Sequence, residues 1–380
     1  MYHYVVPSRI TFGEGAAQRT GQIAQAIAAK TIFCVYDPGV KAAGLVDQIL
    51  DPLKAQGFAL VEFGDVLANP PDISVYTALD IARQANVDAV LAIGGGSAMD
   101  TAKAVNILLT NAGRLEDYEG PDRVTNRGKP LIAIPTTAGT SSEITHVTVI
   151  TNERETRKMV IVGQNVGPDY ALIDPQLTIG LPPAITAATG MDAVTHAIES
   201  YLSINASPLT EYSSLKAIEI FRENLPKAYQ NGNDLNARTN VMLGCVIVGF
   251  AFNNADLGMV HAIAHTLSSH FGVAHGVANA TLLPHVMEFN AATSKNKLVN
   301  IAKALGVDTR NLSEDQASSA AIDEVKSLCA ALQIPALRDL GVKRESFDQL
   351  AEETLKEGAL MFNPRQPVKT DVIAILEKAF

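Results

Sequence analysis

Eight histidines mark the chain, and five of them, His261, His265, His270, His275 and His285, fall in one apolar, glycine-punctuated stretch. Asp192 and His196 stand four residues apart, as do His261 and His265. On a helix that spacing stacks two side chains on one face. Imidazoles and a carboxylate from adjacent helices make a tetrahedral or open divalent-metal site. A single histidine is more often a hydrogen-bonded core or surface residue, but five in one such stretch point to a metal. The run His261-Ala-Ile-Ala-His265 is not a zinc peptidase motif, because Ala262 stands where the general base belongs. Residues 239–290 contain no Lys or Arg. A carboxylate or phosphate substrate usually meets a cation, so this region predicts a neutral substrate in a largely apolar pocket. Phe252, Leu257 and Phe271 are available to line it, although such side chains are more often plain core.

A second constellation is Gly94-Gly95-Gly96-Ser97, between an apolar run and an amphipathic helical pattern. Free backbone N–H groups at a helix start, without side chains in the way, let phosphate oxygens approach. Ser97 is placed to cap that helix and donate to phosphate. The plain alternative is a strand-to-helix turn, but three glycines exceed what a turn needs. Gly13-Glu14-Gly15-Ala16-Ala17-Gln18 half matches the dinucleotide pattern; Gln18 breaks it, and the stretch reads as a turn and helix start. Residues 135–143, Pro-Thr-Thr-Ala-Gly-Thr-Ser-Ser-Glu, offer hydroxyls for ribose or phosphate, or form a polar loop. Asp37 ends the run at 31–36. A carboxylate there can bind an adenosine ribose and repel a 2′-phosphate, while Asp before Pro-Gly is also a common turn residue.

The elements that must hold these groups follow from period and punctuation. Residues 31–36 are a β-branched and aromatic run stopped by Asp37-Pro38-Gly39. A helical pattern follows through Val46, Ile49, Leu50 and Leu53. Then come an apolar run at 58–63, a helix at 73–85, a run at 89–93 and a helix to about Leu109. Residues 131–134 and 147–150 read as further strands. This alternation predicts a Rossmann-like parallel sheet covered on both faces. Beyond Pro182-Pro183 the chain is Ala- and Leu-rich with helical period. The expected organisation is an α/β nucleotide-binding domain over 1–180 and an all-α metal-binding, catalytic domain over 181–380, with a cleft between them suited to a ligand.

A chain of 380 residues accommodates two domains of about 100–200 residues each. Hydrophobic residues at 47% and charged residues at 18% exclude a disordered chain. A net charge of −10 with no basic run argues against nucleic acid or an anionic membrane as the main partner. Cys34, Cys245 and Cys329 are odd in number and form no paired framework, which suits a reducing compartment. The start lacks a signal-peptide pattern. The apolar stretch at 241–252 is too short to span a bilayer and reads as a buried helix. A soluble cytoplasmic protein is expected.

Five motifs in order resemble the iron-containing (group III) alcohol dehydrogenase family over essentially the whole length. They are ITFGEGA at 10–16, GGGSAMDTAKA at 94–104, PTTAGTSSE at 135–143, LPPAITAATGMDAVTHAIESY at 181–201 and GMVHAIAHTLSSHFGVAHGVANATLLPHVMEFN at 258–290. The resemblance implies the fold shared by that family and dehydroquinate synthase, often dimeric. It implies metal ligands at Asp192, His196, His261 and His275, with Fe²⁺ or another divalent ion such as Zn²⁺, and a non-ligand active-site histidine at His265. It implies NAD contacts at Gly95, Gly96 and Ser97, with Asp100 in the same motif. Asp37 matches the acidic residue linked to NAD preference, and Asn69, Thr136, Thr137 and Lys158 match further cofactor positions. Val147, Phe252, Leu257 and Phe362 match the substrate pocket. Ser141, His146, Asp256 and Ala274 depart from the family's usual residues without removing a ligand.

The implied activity is NAD(H)-dependent interconversion of small primary alcohols or diols with aldehydes. A polyol dehydrogenase of the glycerol, propanediol or lactaldehyde type is the near alternative. A lyase resembling dehydroquinate synthase shares fold, metal and NAD, but needs cations for an acidic substrate that residues 239–290 do not supply. A metallohydrolase leaves the glycine cluster unexplained.

Overall fold

A computed structural model describes residues 2–380. These residues cluster into two compact units. One is Val5–Ile179; the other is Gly180–Phe380, joined by the segment ending at Tyr4.

The first unit is built on nine strands and five helices. The strands are β1 (Arg9–Phe12), β2 (Thr31–Tyr36), β3 (Ala59–Phe63), β4 (Ala89–Gly94), β5 (Gly120–Pro121), β6 (Leu131–Pro135), β7 (Val147–Asn152), β8 (Arg157–Val162) and β9 (Tyr170–Ile173). The helices are α1 (Thr20–Ala26), α2 (Pro38–Ala42), α3 (Leu45–Ala55), α4 (Asp72–Gln84) and α5 (Gly96–Thr110). Six strands form a parallel sheet in the order β1-β9-β6-β4-β2-β3.

The alternation of β2 shows why both faces are covered. Ile32 and Cys34 pack with Val46, Ile49, Leu50 and Leu53 of α3. Phe33 and Val35 pack with Val75, Ala78 and Leu79 of α4 and with Ala102 and Val105 of α5. Strands buried on both sides read as continuous apolar runs, as the sequence does at 31–36 and 89–93.

The strand expected at 147–150 does not join this sheet. It is β7 of a separate sheet, in the order β5-β8-β7, and pairs antiparallel with β8. The connection from Asn152 to Arg157 is too short for a parallel crossover, which needs a dozen or more residues. β1 and β9, of four residues each, extend the sheet beyond β6.

The second unit is helical: α6 (Pro183–Leu202), α7 (Pro208–Gln230), α8 (Leu235–Ala255), α9 (Met259–Phe271), α10 (His275–Ala304), α11 (Glu314–Ala331), α12 (Phe347–Thr354) and α13 (Lys369–Ala379). The apolar stretch at 241–252 is part of a longer helix than expected. α8 has 21 residues, long and apolar enough to cross a membrane by length and composition. Val241, Cys245, Val248 and Ala251 of α8 are buried within the unit.

α8 ends on a strained residue. Asp256 follows it with φ 62° and ψ −178°, a region that glycine occupies almost alone. Its Oδ2 accepts a 3.0 Å hydrogen bond from Asn205 Nδ2. The strain outweighs one partly exposed hydrogen bond, so Asp256→Gly is expected to stabilise the metal-free protein by about 1 kcal/mol. Thermal unfolding of the two proteins checks this; a lower Tm in the variant would show that the Asn205 bond dominates.

Candidate functional site

α6 presents Asp192 and His196 one turn apart, and α9 presents His261 and His265 in the same way. α10 begins at His275. Three imidazole Nε2 atoms, of His196, His261 and His275, each lie 3.8 Å from one oxygen, Asp192 Oδ1. Asp192, His261 and His275 offer ligand atoms all within 4.8 Å of one another. The His196 ring stacks on Phe252 at 4.2 Å between centroids and on His261 at 4.8 Å.

This convergence needs close helix approach. A Cβ on Gly276 would sit 2.3 Å from the Ala188 carbonyl oxygen and 3.3 Å from Asp192 Cβ. Only glycine after His275 lets α10 start against α6.

The electrostatics suit a cation. Burial, the neighbouring His196 and the nearby His265 push His261 well below the usual histidine range, against the pull of Asp192. The ring is therefore neutral, the form that ligates metals. Burial alone would raise Asp192, but the imidazoles of His196, His275 and His261 and the Asn279 amide bring it below the usual carboxylate value. Asn279 Nδ2 donates to Asp192 Oδ1 at 2.6 Å and lies 3.1 Å from His261 Nε2 and from His275 Nε2. Asn279 Oδ1 is buried without a partner. Several acceptors crowd one centre, and neutral imidazoles with one carboxylate are the donor set of divalent transition metals. The residues fit such an ion.

Three groups around this cluster were not singled out from the sequence. Glu199 Oε2 is 2.6 Å from His261 Nδ1, and Glu199 Oε1 accepts the Val260 N–H at 2.7 Å. Burial raises the Glu199 carboxyl to about 7, opposed by the N–H groups around it. Glu357 Oε2 is 3.0 Å from His265 Nδ1. Helical spacing could have shown Glu199, which continues the face of Asp192 and His196, and Asn279, one turn after His275. Nothing local marks Glu357, which lies 92 residues from its partner.

In the other unit, β4 ends at Gly94 and α5 begins at Gly96, with Gly95 at the cap position and no side-chain cap. The cap expected from Ser97 is not formed, because Ser97 already lies inside the first turn. The initial N–H groups are thus left for an anion. Gly94 has φ 151°, and a Cβ there would meet Ala98 Cβ at 2.7 Å and Asp37 Oδ2 at 3.3 Å. Asp37 takes the turn reading, its Oδ1 capping α2 by accepting from Gly39 and Val40 N–H, while its Oδ2 faces Gly94. Thr137 lies against Gly95 and Thr140 against Gly96. Thr136 Oγ1 is buried without a protein partner. A turn with open N–H groups, a carboxylate and an unpaired hydroxyl fits a dinucleotide.

Asp100 lies beneath this surface. Its Oδ1 accepts from Ser142 Oγ at 2.8 Å, and its Oδ2 accepts from Val149 N–H at 3.2 Å. Lys103 Nζ donates to Ser142 Oγ at 2.8 Å and to the Val147 carbonyl at 2.7 Å. Burial brings Lys103 down to about 8 and Glu143 up to about 7. This buried group fixes the hydroxyl-bearing loop. Ser141 there has φ 53°, in the left-handed region that favours glycine. Lys158 Nζ donates to Asn69 Oδ1 and Thr151 Oγ1, both at 2.9 Å, and burial lowers it to about 8. Asn69 and Lys158 therefore form one linked group.

Of the four pocket-lining residues expected, Phe252 stacks on His196. Leu257 and Phe362 belong to the same helical unit and are partly buried. Val147 lies on β7 of the first unit.

An iron-containing alcohol dehydrogenase family model matches residues 7–175, and that of the C-terminal part of the Fe-containing alcohol dehydrogenase family matches residues 186–380. The chain is 40% identical to a 1,3-propanediol dehydrogenase of Citrobacter freundii over 383 positions, covering 100% of this chain and 99% of that one. It is 34% identical to an NAD-dependent methanol dehydrogenase of Bacillus methanolicus over 380 positions, covering both chains fully. A solved structure of a 1,3-propanediol oxidoreductase matches it with a TM-score of 0.97 at 40% identity, covering 100% of each chain. That match extends over both the parallel-sheet unit and the helical unit, the fold of an oxidoreductase. The chain belongs to the iron-containing alcohol dehydrogenase family.

The close approach at Gly276 yields a direct test. Gly276→Ala forces α10 away from α6 and is expected to cost about 1–3 kcal/mol of stability. Bound metal, measured by elemental analysis, should fall sharply; full retention would show that α10 can shift without disturbing the cluster.

Proposed function

We propose that this protein is an NAD(H)-dependent alcohol dehydrogenase that interconverts small primary alcohols or diols with aldehydes. Asp192, His196, His261 and His275 hold a divalent metal, Fe²⁺ in this reading, with Zn²⁺ able to occupy the same donors. The observation that carries the proposal is the convergence of three Nε2 atoms on Asp192 Oδ1. When bound, the metal supplies Lewis acidity that lowers the proton affinity of an alcohol oxygen. The dinucleotide supplies the hydride acceptor or donor.

The chain's own groups do the rest. The α5 N-terminus and Thr136 and Thr137 bind the cofactor's polar groups, with Asn69 and Lys158 beside them. Asp37 favours NAD over NADP, since its carboxylate repels a 2′-phosphate. His265 holds the alcohol proton: Nδ1 faces Glu357, so Nε2 is left to accept it. Phe252, Leu257 and Phe362 keep water from the reacting carbon and limit chain length. Residues 239–290, without a cation, suit a neutral substrate. The reading extends to a cytoplasmic homodimer or higher homo-oligomer. The three cysteines are free, and Ile204, Leu209 and Tyr212 are exposed apolar side chains.

Anaerobic assay with ferrous ion, NAD and a panel of C2 to C6 alcohols, two diols and two hydroxy acids tests the proposal through NADH absorbance. The expected outcome is a graded preference among short alcohols and diols, each methylene contributing about 1–3 kcal/mol at most. Preference for a hydroxy acid would overturn the neutral-pocket reading. In the same assay Asp37→Gly should narrow the ratio of kcat/KM for NAD over NADP. Equal use of both cofactors by the unaltered protein would remove Asp37 as the determinant.

A further inference from the structure

We infer that Glu199 is the positioning residue of the metal centre, fixing His261 in the tautomer whose Nε2 lone pair faces the ion. The inference rests on the metal reading of Asp192, His196, His261 and His275 given above.

Glu199 extends the α6 face that carries Asp192 and His196 by one further step. Its side chain is buried, and each oxygen meets a different N–H site. Oε1 accepts from Val260 N–H at 2.7 Å, and Oε2 stands 2.6 Å from His261 Nδ1. With Glu199 ionised both its oxygens only accept, which puts the proton on His261 Nδ1, and the Asn279 Nδ2 donor 3.1 Å from His261 Nε2 favours the same tautomer. A neutral imidazole has one N–H, and Nε2 is therefore the lone pair. Nε2 is also the atom 3.8 Å from Asp192 Oδ1. The opposite tautomer would set a ring lone pair against a carboxylate oxygen at hydrogen-bonding distance. A carboxylate on the far nitrogen of a ligating histidine orients the ring and raises its basicity.

Glu199 also satisfies a free N–H in the first turn of α9, the helix that carries His261 and His265. That second role is purely structural, and the test must separate the two. Glu199→Gln retains shape but has only one oxygen. With that oxygen on Val260 N–H, the amide NH₂ faces Nδ1 and demands it as an acceptor. His261 then carries its proton on Nε2 and cannot ligate.

The experiment titrates Co²⁺ into metal-free wild type and Glu199→Gln, following the visible d–d bands, with apo-protein Tm measured alongside. Expected is a Kd about 10–100-fold higher in the variant, with little change in apo-protein Tm. A variant Kd within about twofold of wild type overturns the inference while leaving the metal reading intact. If wild type itself gives no Co²⁺ bands, the metal reading fails and this inference with it. Should the variant not fold, ¹⁵N-histidine NMR of the metal-free wild type decides. His261 protonated on Nδ1 supports the assignment, and protonation on Nε2 overturns it.

Discussion

Three helices of the second unit, α6, α9 and α10, meet around one buried carboxylate. Asp192 carries charge in an interior from which water is excluded, and an uncompensated buried charge is among the costliest things a fold can contain. Here the Asn279 amide donates to the carboxylate, and the imidazole nitrogens around the same oxygen are ligand atoms that call for a cation among them. Those partners come from three helices, so α6, α9 and α10 must stop at defined separations. Small residues set those separations, as Gly276 does against Ala188. The carboxylate thus ties packing to chemistry: helices that drifted apart would lose the metal donors and strand the charge together.

Around that cluster the polar groups are layered. Glu199 meets His261, Glu357 meets His265, and Glu353 meets His270. In each case a carboxylate meets one ring nitrogen. His261 turns its Nε2 toward Asp192, while His265 Nδ1 meets Glu357 Oε2 at 3.0 Å.

The α/β unit solves a different problem with backbone. Its glycine turn offers uncapped N–H groups, and a buried network of Asp100, Lys103 and Ser142 holds the facing loop in place. Phosphate recognition by main chain asks for access and rigidity more than for particular side chains. The charged groups therefore lie under the loop and not on it.

Sequence alone determined the elements with strong local signals. The apolar runs of β2, β4 and β6, the α3 stripe and the i,i+4 pairs on α6 and α9 are set by periodicity within a few residues, so spacing reveals them. The glycine turn and the histidine-rich stretch are legible for the same reason. What only the tertiary structure decided is pairing across distance. β7 turned back on β8 instead of entering the parallel sheet, since a strand's partners depend on connection length and not on its own residues. Asp37 proved to be both a helix cap and a neighbour of Gly94, a choice that composition leaves open. Glu357 acquired meaning only when a segment 92 residues away in sequence came against His265. A carboxylate is chemically the same on a solvated surface and beside an imidazole; its role is fixed by the partner that the fold places 3 Å away.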